Sequence, residues 1–434
     1  MDKMADVLGR AGAWCGQNKY LSAIKNAFQN FMPLTIAGAI GVLWCNVLVN
    51  DQTGLGLFFK PIMALDFLNP AFQAVNFCTI SCITVGITLG IAQEIGVWNM
   101  GAERAGYIPG LVGLAAWLSV TNTSHMVEGA KEAFTGIAGN ELGATGLFTG
   151  MIIGVLSVEL FCFFEKQDAL KIKMPEQVPP GVARAFEVLV PATITLIITA
   201  CIGSACYNLT GLYLNDVIKN GIQGPLGAVG ATIPGVMIIY LVIMLFWLVG
   251  IHGNNMLSAV KEALFTPLAL ENVEKFNKGE KPTNIINMYA LQMWGEFGGS
   301  GVTIGLVIAI MIFGKREDNK AIATLSLVPG LFNINETVTF GVPMVLNPIL
   351  GIPFVVAPLI TIIIGYVLTV IGFCPVACLT VPWTTPPIVF GFLACGANVM
   401  GAVTQAILIV VSTVIYVPFL ISYEKYQNKQ AVEA

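Results

Sequence analysis

Between Lys320 and Glu424 the chain carries a single charged side chain, Glu336. Every other residue in that long stretch is apolar, glycine, proline or an uncharged polar residue. Water does not select such a segment, since an average soluble domain is about 25% charged. The whole chain follows the same rule, with 434 residues, 56% hydrophobic and only 11% charged. Stretches such as Phe31–Val49, Ala71–Ile95 and Val190–Ala205 approach or reach the ~20 apolar residues that a bilayer-spanning helix needs. The alternating pattern of a membrane barrel is absent. The composition therefore predicts an all-α polytopic membrane protein.

Apolar segments are expected near 31–49, 71–95, 105–121, 143–165, 186–211 and 226–249, and again at 251–270, 289–313, 321–345, 346–373, 374–391 and 397–421. Lys and Arg concentrate in short cytoplasmic loops. An N-terminus inside places Arg104, Lys166, Lys171, Lys173 and Arg184 on that side. After Gly250 simple alternation fails, because Lys275, Lys278 and Lys281, then Lys315, Arg316 and Lys320, then Lys425 and Lys429 all require the same side. Some segments must therefore enter and leave on one face. The chemistry agrees. Pro329 and Gly330 precede "LFNINETVTF", Gly341 and Pro343 follow it, and "TVPWTTPPIVFG" (Thr380–Gly391) holds three prolines, which break helices. Irregular backbone at membrane depth survives only where protein or a water-filled cavity covers it, and such breaks point to a transporter's binding site. Ahead of the first span no cleavable signal peptide is visible. Trp14, Leu21, Ile24, Phe28 and Phe31, with Lys3, Arg10, Lys19 and Lys25 between them, read as a basic amphipathic helix on the membrane surface.

Few side chains here can carry chemistry. An ionised carboxylate at the bilayer centre costs about 2.5–3.5 kcal/mol or more, so Glu336 has to be protonated, paired, or turned toward water or ligand. His252 lies at the end of an apolar span in "WLVGIHGNNM" (Trp247–Met256), whereas His125 sits in a polar loop. Trp383, Thr384 and Thr385 occupy the proline-rich break. Trp offers a flat apolar face suited to the C–H surface of a sugar ring, and one donor. "GEFGGSGVTIGL" (Gly295–Leu306) adds a glycine-rich kink with Ser300, and Glu296 is the lone charge between Lys281 and Lys315. No Walker A motif, zinc cluster or nucleophile elbow is present. The ten cysteines read as small apolar filler, so neither a metal nor a cofactor is expected, nor nucleic acid as a partner.

Taken together, "GIHGNNM", "FGGSGVTIGL", "FNINETVTFGVPMVLNP" and "VPWTTPP", with "FMPLTIAGAI" and "FTPLALEN", resemble the membrane IIC component of the bacterial phosphoenolpyruvate-dependent sugar phosphotransferase system. The lactose/cellobiose/diacetylchitobiose branch matches best. The resemblance implies about ten transmembrane helices plus re-entrant hairpins. It implies a scaffold and homodimer interface over 1–220 and a sugar-binding transport unit over 221–434. It implies that Glu336 and His252 act on the C6 hydroxyl to be phosphorylated. Asn335, Trp247, Trp383 and Thr384 match as sugar contacts, with Asn254 and Ser300 beside them. The phosphoryl group comes from a cysteine on a separate cytoplasmic IIB protein, itself supplied through IIA and the general phosphocarrier, and no phosphoryl-carrying unit is recognisable in this chain. The expected function is thus a permease for a β-linked disaccharide in the bacterial cytoplasmic membrane, a transporter subunit rather than a self-contained enzyme. Glu296 departs from the apolar residue expected at its position. On residue chemistry alone, a proton-coupled sugar symporter using Glu336 and His252 is the competing reading.

Overall fold

A computed structural model describes residues 10, 13–14, 17–51, 55–125, 134–175, 177–225 and 230–433. The described chain is mostly helical, and its one strand pairing is the two-residue ladder of Ser124–His125 with Phe134–Thr135. Two compact units emerge.

The first unit takes in Gln17–Gly38 and Ala74–Ala228. It contains most of helix α1 (Lys19–Leu43), then α2 (Ile83–Met100), α3 (Ile108–Val120), α4 (Ala144–Glu165) and α5 (Pro180–Thr210). Helices α2 to α5 are apolar around most of their circumference, so an apolar stripe does little to set their register. Small residues set it by letting backbones approach closely. A Cβ on Gly113 would lie 2.3 Å from the Ala92 Cβ, and one on Gly150 would lie 2.2 Å from Thr88 Oγ1. Much of the apolar surface stays uncovered within the unit, and only 22% of the apolar window of α5 is buried. Arg104 and Arg184, which the loop-charge reading assigns to one side, meet at the buried carboxylate of Glu165, with N–O distances of 2.8 and 2.9 Å. Glu187 accepts from both arginines as well.

The second unit takes in the described residues of Ala39–Gln73 and Val229–Ala434. Its helices include α6 (Ile233–Leu248), α7 (Ser258–Asn277), α8 (Met288–Gly295), α9 (Ile304–Phe313), α10 (Glu317–Leu331), α11 (Glu336–Gly341), α12 (Gly351–Val370), α13 (Val389–Ala394) and α14 (Val399–Glu433). One apolar core joins Tyr240, Trp294, Phe297, Phe354 and Tyr416. Gly365 admits the Trp294 indole, since a Cβ there would lie 2.4 Å from the ring.

Among the described residues, five helices are long and apolar enough to cross a membrane, or up to seven if each bent pair is one span. The expected count of about ten is not reached by this measure, for three physical reasons. The segments expected at 105–121 and 226–249 form shorter apolar helices, α3 and α6. The segment expected at 251–270 becomes α7, which carries Lys261, Glu262, Glu271, Glu274 and Lys275. Those at 321–345 and 374–391 are broken where Gly, Pro and Asn stand. The amphipathic surface helix expected before the first span also differs. Leu21, Ile24, Phe28 and Phe31 belong to α1 itself, which runs without a break into that span, and most of the chain before Gln17 lies outside the described residues.

A carboxylate holds the end of the second unit together. Glu424 is 5% exposed and accepts from the backbone N–H groups of Lys315 and Arg316 at 2.8 and 3.3 Å and from Asn319 Nδ2 at 3.2 Å. It thereby fixes the chain just ahead of α10 and places negative charge at that helix's N-terminus, where the backbone dipole favours it. Glu424→Ala is expected to cost about 2–3 kcal/mol, and Glu424→Gln to restore part of that. Thermal unfolding of the detergent-solubilised protein reads both.

Candidate functional site

The breaks between helices converge on one cavity of the second unit, which holds about 210 Å³ of room for water-sized groups. Four interruptions supply most of its wall. They are the turn after α6 that carries His252, the kink between α8 and α9 (a bend of 60°), the turn between α10 and α11, and the proline-rich segment before α13. Every residue that lines the cavity falls between His252 and Gln405.

Asn333 fixes three of these interruptions relative to one another. Its backbone is left-handed, with φ 62°, a conformation that asparagine tolerates better than most residues. Its side chain accepts from the Gly298 N–H at 2.6 Å and donates to the Trp383 and Thr385 carbonyls at 2.5 and 3.1 Å. Asn335 donates to the Ser300 carbonyl at 2.8 Å. Gly299 sits against it at φ 87°, where a Cβ would lie 2.7 Å from the Asn335 Cβ, so glycine is required there on two counts. Gln405, 1% exposed on α14, accepts from the Ile388 and Gly391 N–H groups at 2.7 and 2.8 Å and donates to the Met293 carbonyl at 3.2 Å. Tyr416 donates to the Gly301 carbonyl at 2.8 Å. Side chains thus supply the bonds that the broken helices lack.

Two polar groups face the cavity. In the first, His252 Nε2 lies 3.9 Å from Glu336 Oε1. His252 Nδ1 accepts from the Asn255 N–H at 3.2 Å, so in the neutral ring Nε2 carries the proton and points it toward Glu336. The 3.9 Å gap is too long for a direct hydrogen bond and suits a hydroxyl that accepts from the imidazole and donates to the carboxylate. Glu336 opens α11 and its side chain is 47% exposed, so its charge is solvated by the cavity instead of lying in oil. Trp247 sits beneath His252, with ring centroids 4.5 Å apart.

In the second group, Lys261 and Glu296 form an ion pair with side-chain exposures of 8% and 17%. Tyr240 donates to Glu296 Oε1 at 2.6 Å, Lys261 donates to Asn254 Oδ1 at 3.0 Å, and Asn254 donates to Ser300 Oγ at 2.9 Å.

Of the site residues expected from sequence, the cavity brings together Glu336, His252, Asn335, Trp383, Asn254 and Ser300. Trp247 is 2% exposed, and neither it nor Thr384 lines the cavity. Sequence reading passed over Lys261, Gln292 and Gln405 as site residues. Gln405 had a legible signal, the lone amide in the uncharged part of α14 that precedes Glu424. Lys261 had none, because it belongs to a helix with several charges. Among the described residues no group of His, Cys, Asp and Glu is arranged to hold a metal ion.

Residues 25–358 match the sequence profile of a protein family described as "Phosphotransferase system, EIIC". The chain is 32% identical to the oligo-beta-mannoside-specific EIIC component of Bacillus subtilis (strain 168), covering 100% of this chain and 97% of that protein. It is 30% identical to a cellobiose-specific EIIC component of Lactococcus lactis subsp. lactis (strain IL1403), covering 98% of each. Its fold matches the crystal structure of the transporter ChbC, the IIC component from the N,N'-diacetylchitobiose-specific phosphotransferase system, with TM-score 0.88, 29% identity and 96% of each chain covered.

Asn333→Ala is expected to cost about 2–4 kcal/mol, since it leaves the Gly298 N–H and the Trp383 and Thr385 carbonyls without their partner. Ligand binding is expected to weaken together with the melting temperature. Unchanged stability would contradict the role assigned to this side chain.

Proposed function

Because the chain belongs to the phosphotransferase system EIIC family, a family of multi-pass sugar permeases of the bacterial cytoplasmic membrane, we propose that it binds and translocates a β-linked disaccharide and presents it for phosphorylation by a separate IIB protein. One observation carries the proposal. Glu336 and His252, from two different interrupted segments, face each other across a gap of 3.9 Å that one hydroxyl group can bridge.

A hydroxyl held there is oriented before it reacts. The His252 Nε2–H bonds to its oxygen and Glu336 accepts its proton. When the sugar C6 oxygen attacks the phosphorus of the IIB phosphocysteine, the O–P bond forms, the P–S bond breaks, the thiolate leaves, and the hydroxyl proton passes to Glu336. The carboxylate acts as general base, and the pairing with His252 supplies position more than covalent chemistry. Trp383, 44% exposed beside the cavity, offers an aromatic face to a sugar ring, and Asn335, Asn254 and Ser300 offer polar groups to its other hydroxyls. The relatives' substrates by name (oligo-beta-mannoside, cellobiose, N,N'-diacetylchitobiose) share the β-linkage, which supports that substrate class here. Because the cavity is lined only from residue 252 onward, the reading assigns sugar handling to 221–434 and a scaffold and homodimer interface to 1–220.

Glu336→Gln is expected to retain the fold and to lower phosphorylation-coupled uptake about a hundredfold or more, and His252→Ala to act in the same direction. The measurement is uptake of labelled cellobiose, lactose and diacetylchitobiose into vesicles supplied with phosphoenolpyruvate and the soluble phosphotransferase proteins. Uptake by the Glu336→Gln variant at the unmodified rate removes that residue from the mechanism. Uptake that a protonophore abolishes and that requires no IIB protein overturns the proposal.

A further inference from the structure

The Lys261–Glu296 pair has no task in that mechanism. Burying two charges is expensive, and a buried ion pair is often no more stable than well-packed apolar residues of similar volume. The pair nevertheless lines the cavity, and both partners are held from behind. Tyr240, 0% exposed, donates to Glu296 Oε1, the oxygen that Lys261 also uses, and Lys261 is braced in addition by Asn254 Oδ1.

This bracing leaves a defined set of groups open. Among the described residues Glu296 Oε2 bonds to no protein donor. Lys261 uses two of its three hydrogens. Ser300 Oγ accepts from Asn254, and its own hydrogen is left to donate. Gln292, which lines the same cavity, has a buried Oε1 without a partner. The cluster therefore presents two acceptors and two donors. A sugar hydroxyl both donates and accepts, so neighbouring hydroxyls on one ring satisfy such a set. The pair is neutral as a unit, which suits an uncharged ring and leaves no net positive charge to hold a sugar acid or phosphate. No hydrogen bond joins this cluster to Glu336 or His252 among the described residues. The cavity thus holds two polar groups that no hydrogen bond links, and two linked rings can use one each.

We infer that Lys261 and Glu296, oriented by Tyr240 and Asn254, read the hydroxyls of the sugar ring that does not receive the phosphoryl group, and so set the preference for a disaccharide over an aryl β-glucoside. The inference rests on the function proposed above, with Glu336 and His252 holding the reactive ring. Glu296 and Lys261 are then specificity-determining contacts, and Tyr240 is a positioning residue.

The test compares the affinities of cellobiose and phenyl β-glucoside for the purified full-length protein by calorimetry. The variants are Lys261→Met/Glu296→Leu, Glu296→Gln and Tyr240→Phe, with thermal unfolding recorded for each. The double variant removes both charges at near-constant volume. It is expected to lower the ratio of cellobiose to phenyl β-glucoside affinity by about tenfold or more. Glu296→Gln is expected to lower it by less, and Tyr240→Phe by less again. Where the double variant does not fold, the two single variants decide the question. A wild-type protein that binds both ligands, with variants that leave the ratio unchanged, overturns this inference and leaves the proposed function standing. Equal loss of both ligands also overturns it, because the pair then serves the fold or the reacting ring. A wild-type protein that binds neither ligand nor any other β-linked disaccharide removes the proposed function itself.

Discussion

Every backbone N–H and C=O inside a membrane must find a partner within the protein, because lipid offers none. The second unit breaks its helices repeatedly and meets that demand with side chains. Asn333 bonds to backbone on the glycine-rich kink and on the proline-rich segment. Gln405 reaches from α14 to Ile388, Gly391 and Met293. Tyr416 and Asn335 hold Gly301 and Ser300 through their carbonyls. These bonds also hold backbone in sparsely populated conformations, since Val302 and Ile388 are β-branched residues at φ 48° and 76°. Each such residue costs of the order of 1–3 kcal/mol and persists only where its surroundings over-determine it. Of the five non-glycine residues at positive φ among the described residues, Val302, Asn333 and Ile388 belong to the segments that wall the cavity.

The cavity is a consequence of the same breaks. A continuous helix would present side chains at fixed spacing along one face. Interrupted helices aim the ends of several segments at one point, so residues far apart in sequence meet there. His252 follows α6, Glu336 opens α11, and they stand 3.9 Å apart. The charges at the site are accommodated in two different ways. Glu336 is exposed to the cavity, whereas Lys261 and Glu296 neutralise each other beneath its surface. An open carboxylate can exchange a proton with a ligand, and a braced neutral pair offers a fixed pattern of donors and acceptors.

Much of this was legible in the residues. The single charge between Lys320 and Glu424 implied a membrane protein. Gly, Pro and Asn marked the helix breaks at 296–303, 332–335 and 374–388 because these residues either tolerate left-handed backbone or cannot continue a helix. A lone carboxylate and a glycine-flanked histidine stood out against an apolar background, and both line the cavity. Other features were not legible. Trp247 carries the same signal as Trp383, yet it packs under His252 while Trp383 borders the cavity, and only the fold separates the two. The number of spans was not legible either: five to seven of the described helices qualify as crossings by length and composition, and short apolar helices such as α3 and α6, or a charged one such as α7, fall outside that measure.

The sequence by itself determined the solvent, the helical class, the places where helices break and the rarity of chemistry-bearing side chains. Each of these follows from local composition and backbone preference. The tertiary structure decided which of those side chains meet. Asn333 joins segments that lie 35 and 50 residues away along the chain, and the Lys261–Glu296 pair closes a separation of 35 residues. Such pairings depend on how apolar helices pack through small residues, and on which buried donor reaches which buried acceptor. Neither leaves a periodic trace in the sequence, because packing complementarity and hydrogen-bond satisfaction are properties of neighbours in space.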